Sequence, residues 1–313
     1  MISNNLSMPI KINKKKKYVF LGDLNSINIE LISKSHSTLK NKVNYILIGN
    51  KVEIERHLRR IKSTIPTNEI QEPLSFIGYK KDSLNIFHIE DISNKKYENI
   101  LNQIYISNKI SNYTKYDLVT MPINKSILKK NMKFIGMTEY LGKLNKKKTI
   151  MLMHGENFSI IPLTTHIELK NVHLYLKRKP LAEFLDNLFE LLKVKKYSLF
   201  FDDIKFICHN PHCGEDETLG KEDINIKYLI LKYKKISELI PADSAFLNIE
   251  KKTLFVSTYH DQALIPFKIL NKKGINITLG LDYLRLSPTH GTASNIKYKN
   301  IADNSSYLEC MQI

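Results

Sequence analysis

Three histidines follow short apolar runs that predict β-strands, and together they could bind a metal ion. They are His166, His212 and His260. In open α/β sheets, ligands bind at loops beyond the carboxyl ends of strands, which is where these histidines would lie. Three neutral imidazoles with an open position suit a catalytic Zn²⁺ or a similar divalent ion, and Asp261 could support its neighbour His260 through a hydrogen bond. The alternative interpretation of the spacing is three unrelated histidines, because most histidines bind no metal.

The segment CHNPHC at 208–213 offers a second interpretation, because it holds two cysteines and two histidines. Structural zinc sites usually draw their ligand pairs from two separated segments, and a short loop containing proline cannot easily surround a tetrahedral ion. The sequence therefore favours His212 as a single ligand, with Cys208 and Cys213 as small packing residues. With Cys310 the cysteines number three and show no framework spacing, so disulfides are not expected and a reducing, cytoplasmic location is.

Arg285 is one of only five arginines and follows an apolar run. With Lys268 and Asn276, which are near it in sequence, it could form a clamp for a phosphate or carboxylate. A surface charge near a loop is an equally good interpretation of the spacing. The chain has no Gly-x-Gly-x-x-Gly segment and no Walker loop, so no local motif predicts a nucleotide.

The elements that would position these residues alternate between strand and helix. The predicted strands are 18–21, 45–48, 118–121, 149–153, 159–163, 204–208 and 253–257. Apolar residues with helical spacing predict a helix over 181–192, and Pro180 suits its first turn. This alternation indicates an α/β fold with a largely parallel sheet.

Composition excludes several classes of protein. A chain of 313 residues with 42% hydrophobic residues is typical of a globular protein of about two domains. No apolar run approaches the roughly 18 residues that would cross a membrane. The net charge of +17 is compatible with nucleic-acid binding. We expect a solvated lysine-rich surface instead, because arginine, the usual reader of bases and phosphates, is scarce and the lysines are dispersed.

Seven motifs in order resemble those of the 4-hydroxythreonine-4-phosphate dehydrogenase family. They are TMPINK at 120–125, GMTEYL at 136–141, TTHIELK at 164–170, NPHCGE at 210–215, PADS at 241–244, YHDQ at 259–262, and NITLGL at 276–281 with Arg285 and HGTA at 290–293. The family's early loop GDPAGIGPE is GDLNSINIE here, at 22–30.

The resemblance implies roles for particular residues. The positions that match metal ligands are His166, His212 and His260, and those that match substrate-binding residues are Thr138, Lys268, Asn276 and Arg285. Met137 stands where the family has a histidine that contacts substrate. From their places in the motifs we infer Asp243 as a proton acceptor and Asp261 as support for a metal ligand.

The fold implied by the resemblance is two α/β/α domains with the active site in the cleft between them, as in isocitrate and isopropylmalate dehydrogenases. Residues 1–130 and 278–313 would form the first domain, and residues 131–277 the second. The resemblance also implies a homodimer with the site at its interface, and no nucleic-acid or membrane partner is expected.

The activity implied is a metal-dependent oxidation and decarboxylation of 4-phosphooxy-L-threonine to 3-amino-2-oxopropyl phosphate, a step towards pyridoxal phosphate. The cofactors would be NAD or NADP and one divalent ion, Zn²⁺, Mg²⁺ or Co²⁺. Met137 leaves open a dehydrogenase of a phosphorylated four-carbon sugar acid such as phosphothreonate. A folded, metal-binding homologue without activity is a third hypothesis.

Overall fold

A computed structural model describes residues 15–130, 134–194, 201–250 and 252–313. Twelve strands in these residues form one sheet. The strands are β1 (Lys15–Phe20), β2 (Val43–Gly49), β3 (Thr67–Glu69), β4 (Leu84–His88), β5 (Asp117–Thr120), β6 (Ile150–Gly155), β7 (Ser159–Pro162), β8 (Asp203–Ile207), β9 (Ile236–Ile240), β10 (Thr253–Ser257), β11 (Gly274–Leu279) and β12 (Arg285–Pro288).

Ten α-helices surround the sheet in the described residues. They are α1 (Asn28–Leu39), α2 (Lys51–Arg60), α3 (Lys96–Thr114), α4 (Lys125–Lys129), α5 (Met137–Asn145), α6 (Val172–Tyr175), α7 (Arg178–Leu192), α8 (Glu222–Ile230), α9 (His260–Leu270) and α10 (Ser305–Gln312). Short 3₁₀ turns cover Leu169–Asn171 and Pro211–Gly214. None of the helices in these parts of the chain has the length and apolar character needed to span a membrane.

The sheet consists of two parallel groups joined by an antiparallel centre. Its strand order is β3-β4-β2-β1-β5-β12-β11-β6-β7-β10-β8-β9. β11 runs antiparallel to both of its neighbours, and β6 runs antiparallel to β7. Eight of the eleven strand pairings in the described residues are parallel, which confirms the prediction of a largely parallel sheet, and the three antiparallel pairings lie at its centre. Two of the antiparallel pairs, β6 with β7 and β11 with β12, have short connections, since antiparallel neighbours need only a tight turn whereas parallel ones need a crossover.

The sequence-based elements agree well with the structure. All seven predicted strands are present, with ends shifted by at most three residues. The predicted helix is α7, which buries Leu181, Leu185 and Leu188 and has Pro180 in its first turn. Its opposite face carries the exposed Glu183. The amphipathic pattern is thus confirmed as a helix packed on one side.

The loop between β1 and α1 is tied to the loop after β5. Gly22 has φ +68°, and a Cβ there would lie 2.3 Å from the carbonyl oxygen of Pro122. Asp23 is 2% exposed and pairs with Lys96 at 2.6 Å. Asn28 donates from Nδ2 to the carbonyl oxygens of Leu21 and Pro122, each at 2.9 Å. Gly22 and Asp23 match the first two residues of the motif GDPAGIGPE. Ser26 and Asn28 stand at its other two glycines, and both side chains form hydrogen bonds within the loop.

We expect Gly22→Ala to lower the free energy of unfolding by about 2–4 kcal/mol. The added methyl group would clash with the carbonyl oxygen of Pro122, and alanine is also strained in the left-handed backbone conformation of this residue. Gly78→Ala is the matched control, since Gly78 has φ +78° and nothing within 4 Å of its Cβ position. That control should cost only about 1 kcal/mol. Urea unfolding of the two variants makes the comparison, and equal losses would mean that the contact with Pro122 contributes nothing.

Candidate active site

A cavity of about 380 Å³ lies over the antiparallel centre of the sheet. Alternate residues of a strand share one face, and the register of β6, β11 and β12 places their side chains in two rows across the cavity floor. The rows are Met153–Asn276–Ser287 and Met151–Thr278–Arg285. Strand pairing therefore sets the relative positions of the residues in each row.

Helices α9 and α5 form two walls of this cavity. His260, Leu264 and Lys268 line it from α9, and their spacing of four residues places them on one helix face. Met137 and Thr138 line it from the first turn of α5. At 1.5 Å per residue, about 12 Å of helix separates His260 from Lys268. The α9 wall therefore has a histidine at one end and a cation at the other.

His166 and His260 lie side by side in the cavity wall, with ring centroids 5.7 Å apart. His166 Nδ1 is 3.1 Å from Glu139 Oε1, and His260 Nδ1 is 2.7 Å from Asp261 Oδ1. A carboxylate on Nδ1 orients an imidazole and leaves Nε2 available as a metal ligand. This donor set fits a divalent ion held by two Nε2 atoms, with positions left for a third ligand and for substrate.

Glu139 belongs to the site, although we did not single it out from the sequence. Burial would raise the pKa of its carboxyl group, but hydrogen bonds from His166 and Thr165 outweigh burial and lower the pKa to about 2. The side chain is therefore an anion at neutral pH. Its place within the GMTEYL motif was the one signal that could have identified it.

Arg285 is fixed inside the protein beside the cavity and is only 4% exposed. Its Nε and Nη2 donate to Thr120 Oγ1 at 2.8 and 2.6 Å, and its Nη1 donates to Thr278 Oγ1 at 3.1 Å. Burial lowers the pKa of the guanidinium to about 10, so it stays charged at neutral pH. Three of its five N–H donors are thus used within the described chain, and two can bind an anion. Lys125 and Lys268 line the same cavity.

His212 and Asp243 lie outside the cavity, on exposed loops after β8 and β9. His212 begins a run of left-handed residues, 212–217. Burial, Cys208 and the charges of Asp223 and Asp243 raise the pKa of the Cys213 thiol to about 12, which places Asp243 near the His212 loop.

No three side chains of His, Cys, Asp or Glu converge in the described ranges. The zinc-knot interpretation therefore has no support in these residues, and the three predicted histidines are not brought together within one copy. The three cysteines are free, as expected.

A second cavity, of about 820 Å³, lies at the carboxyl ends of β1, β2 and β4. Its lining includes Arg56, Arg60 and Lys96, together with the N-terminal end of α2. Gly22 lines this cavity and packs on Pro122, which lines the smaller one, so the two cavities are adjacent. Cations and a helix N-terminus are suited to phosphate groups.

Comparison with known proteins gives consistent matches over most of the chain. Residues 41–313 match the family described as pyridoxal phosphate biosynthetic protein PdxA. A 4-hydroxythreonine-4-phosphate dehydrogenase of Aquifex aeolicus is 33% identical, with 96% of this chain and 97% of that protein covered. The enzyme of the same name from Campylobacter fetus is 33% identical, with 94% and 95% covered.

A solved structure has the same fold. It is a 4-hydroxythreonine-4-phosphate dehydrogenase of Klebsiella pneumoniae, and it superposes with a TM-score of 0.76 at 24% identity, covering 96% of this chain and 98% of that one. At this identity the likeness concerns the fold alone. The family match and the full-length relatives carry the assignment, and from them the chain belongs to the PdxA family of pyridoxal phosphate biosynthetic proteins.

Proposed function

We propose that this protein oxidises and decarboxylates 4-phosphooxy-L-threonine to 3-amino-2-oxopropyl phosphate, with a nicotinamide cofactor and a divalent ion. Relatives that match almost the whole chain carry the name of this dehydrogenase. The observation that carries the proposal is the joint presence, in one cavity, of a histidine pair hydrogen-bonded to carboxylates and of three cations, the buried Arg285 and the exposed Lys125 and Lys268.

The cations suit the substrate's phosphate and carboxylate groups. Arg285 is held by two threonines, so its remaining N–H donors are oriented before an anion arrives. Lys268 extends from α9, and burial lowers the pKa of Lys125, which lines the same space. Preorganised charged donors in a half-enclosed cavity bind an anion more strongly than the same groups in water do.

His166 and His260 would hold the divalent ion through Nε2, with Glu139 and Asp261 fixing their rings. A bound divalent ion supplies Lewis-acid chemistry, acidifying the alcohol to be oxidised and stabilising the negative charge that develops as CO₂ leaves. The floor rows and the cations then position the substrate relative to the nicotinamide. Positioning of this kind is the protein's share of a reaction whose hydride chemistry belongs to the cofactor.

We propose that a second copy of the chain supplies the third metal ligand. His212 and Asp243 are exposed on neighbouring loops, away from the cavity of their own subunit. In a dimer those loops would reach the partner's cavity, with His212 as the ligand and Asp243 as the proton acceptor. A two-fold arrangement would then complete both sites at once.

The adenosine and phosphate groups of the nicotinamide cofactor are proposed to occupy the larger cavity. We expect Arg56→Ala and Arg60→Ala each to weaken NADH binding by about one to two orders of magnitude, the value of a charge-assisted contact. Arg59→Ala, on the same helix but outside the lining, is the control. Quenching of NADH fluorescence measures binding without turnover. Unchanged affinity in both cavity variants would place the cofactor elsewhere, and the same assay with NADPH compares the two cofactors.

The two parallel groups of strands are proposed to act as two domains around the cleft, as in isocitrate and isopropylmalate dehydrogenases. Residues 1–130 with 278–313 contain the parallel group from β3 to β12, and residues 131–277 contain β6 and the parallel group from β7 to β9. The antiparallel β11 crosses the boundary between them.

Formation of NADH by the purified protein tests the proposal. With a divalent ion present, we expect activity on 4-phosphooxy-L-threonine and little on phosphothreonate. Activity on phosphothreonate alone would support the sugar-acid alternative. Absence of turnover with either compound, in protein that still binds metal, would indicate a degenerate homologue.

Met137 lies in the cavity wall at the start of α5, where the family has a histidine. We expect Met137→His to raise kcat/KM for 4-phosphooxy-L-threonine by about three- to tenfold, because it restores one hydrogen bond of about 0.5–1.5 kcal/mol. Kinetics of both forms with both compounds make the test. A loss of activity on 4-phosphooxy-L-threonine alone would mean that the pocket is shaped for a thioether.

A further inference from the structure

Three residues that line the 380 Å³ cavity each have a buried acceptor atom with no hydrogen-bond partner within the described chain. The atoms are Glu139 Oε2, Asn276 Oδ1 and His290 Nε2. A buried polar group without a hydrogen-bond partner destabilises the protein, because it has lost its hydrogen bonds to water without replacing them. Three such groups around one cavity therefore indicate a ligand that supplies hydrogen-bond donors.

Each of the three atoms accepts and does not donate. Glu139 uses Oε1 for Thr165 and His166, which leaves Oε2 free. His290 Nδ1 lies 2.8 Å from the carbonyl oxygen of Gly291, so Nδ1 carries the proton and Nε2 keeps its lone pair. Burial lowers the pKa of His290, so the ring is neutral at pH 7. Asn276 contributes its amide oxygen from the floor row.

The anionic groups of the substrate cannot satisfy these atoms. Phosphate and carboxylate are acceptors, and the cavity already offers them Arg285, Lys268 and Lys125. An ammonium group has three N–H donors and a positive charge that matches the carboxylate of Glu139. A hydroxyl group has a single donor and would leave two acceptors unpaired.

We propose that Glu139, Asn276 and His290 form a subsite for the substrate's ammonium group, which makes the site selective for a phosphorylated α-amino acid over the corresponding hydroxy acid. The inference rests on the proposed function and adds residues that determine its specificity. The three side chains come from α5, β11 and the loop after β12, so the surrounding fold holds them in place before binding.

Calorimetric titration with Mg²⁺ present and no nicotinamide cofactor tests the subsite. We expect the wild-type protein to bind 4-phosphooxy-L-threonine at least about tenfold more tightly than 4-phosphothreonate, since a site built for N–H donors rejects an analogue that lacks them. Glu139→Gln should reduce the ratio of the two affinities about tenfold. The variant should bind 4-phosphooxy-L-threonine more weakly and should bind phosphothreonate as tightly as the wild type or more tightly. Glu183→Gln, which removes a carboxylate from a neighbouring cavity, should leave the ratio unchanged.

The ratio of the two affinities distinguishes a contact with the ammonium group from the role of Glu139 in orienting His166. A loss of the metal through His166 would weaken both ligands together, so an equal loss for both compounds would overturn the proposal. Asn276→Leu provides a second variant that removes an acceptor without touching His166, and it too should lower the ratio. Equal binding of both compounds by the wild type would overturn the subsite and leave the proposed phosphate site standing. Binding of neither compound would overturn the proposed function and this inference with it.

Discussion

Replacing His166 or His260 with alanine is expected to abolish turnover while the fold stays intact. Each ring lines the cavity and has its Nδ1 atom hydrogen-bonded to a neighbouring carboxylate, Glu139 or Asp261. This arrangement leaves Nε2 available as a metal ligand. Losing a residue that only supports a ligand already costs 10–100-fold in many metal sites, so losing a ligand should cost more than about 100-fold. Steady-state kinetics and metal analysis of the purified variants make the test. His173→Ala, an exposed histidine outside the cavity, is the control.

His212→Ala should be equally inactive, and mixing variants can show which copy supplies the ligand. If His212 acts in the partner's site, a heterodimer of His166→Ala and His212→Ala subunits has one site with both ligands missing and one complete site. Random reassociation should then restore about a quarter of wild-type activity. No recovery, with dimers verified by size, would place all three ligands in one subunit. Full activity in any single variant with unchanged metal content would remove that residue from the site.

Arg285→Ala is expected to raise KM for the phosphorylated substrate by about one to two orders of magnitude, and Arg178→Ala to leave it nearly unchanged. The expected loss corresponds to one charge-assisted contact of about 1.5–3 kcal/mol. Arg285 is buried at the cavity with its donors oriented by Thr120 and Thr278. Arg178 is exposed and lies over the ring of Tyr228, with 4.4 Å between its guanidinium carbon and the ring centroid.

Arg285→Lys tests whether substrate binding depends on the positive charge at this position or also on the planar arrangement of the guanidinium donors. Lysine keeps the positive charge but not the planar fork, so we expect an intermediate KM. Thermal unfolding of each variant is needed as a control, because removing a side chain that makes three internal hydrogen bonds also destabilises the protein. Small and equal effects of Arg285→Ala and Arg178→Ala would mean that Arg285 only packs the core.

The family and most of the α/β pattern could be predicted from the sequence. The motifs between residues 118 and 293 identify a family that the match over residues 41–313 confirms. The predicted strands are apolar runs with clear ends, which is why they were found. The strands β11 and β12, which were not predicted, contain polar residues such as Asn276 and Arg285 because they floor the cavity. Polar residues at a functional site interrupt the apolar pattern by which a strand is recognised in a sequence.

The candidate site was predicted in part. The cavity brings together Met137, Thr138, His166, His260, Lys268, Asn276 and Arg285. Asp261 lies beside His260, while His212 and Asp243 lie elsewhere in the same copy. Spacing along a chain cannot show which subunit's cavity a loop will reach. The acceptors Glu139 and His290 were missed because what marks them is an unpaired atom in a three-dimensional cavity.

The amide group of Asn28 constrains how this sequence can change during evolution. Its Nδ2 atom serves Leu21, Asp23 and Pro122 at once, so a single reversion to glycine would leave three carbonyl oxygens without this donor. Ser26 accepts from the backbone N–H of Asn28 and supports the same turn. Because that bond uses the backbone of residue 28, glycine there would keep it, and the loss would fall on the three carbonyl oxygens alone. Asn28 is therefore the position of this turn at which a change is expected to be least tolerated.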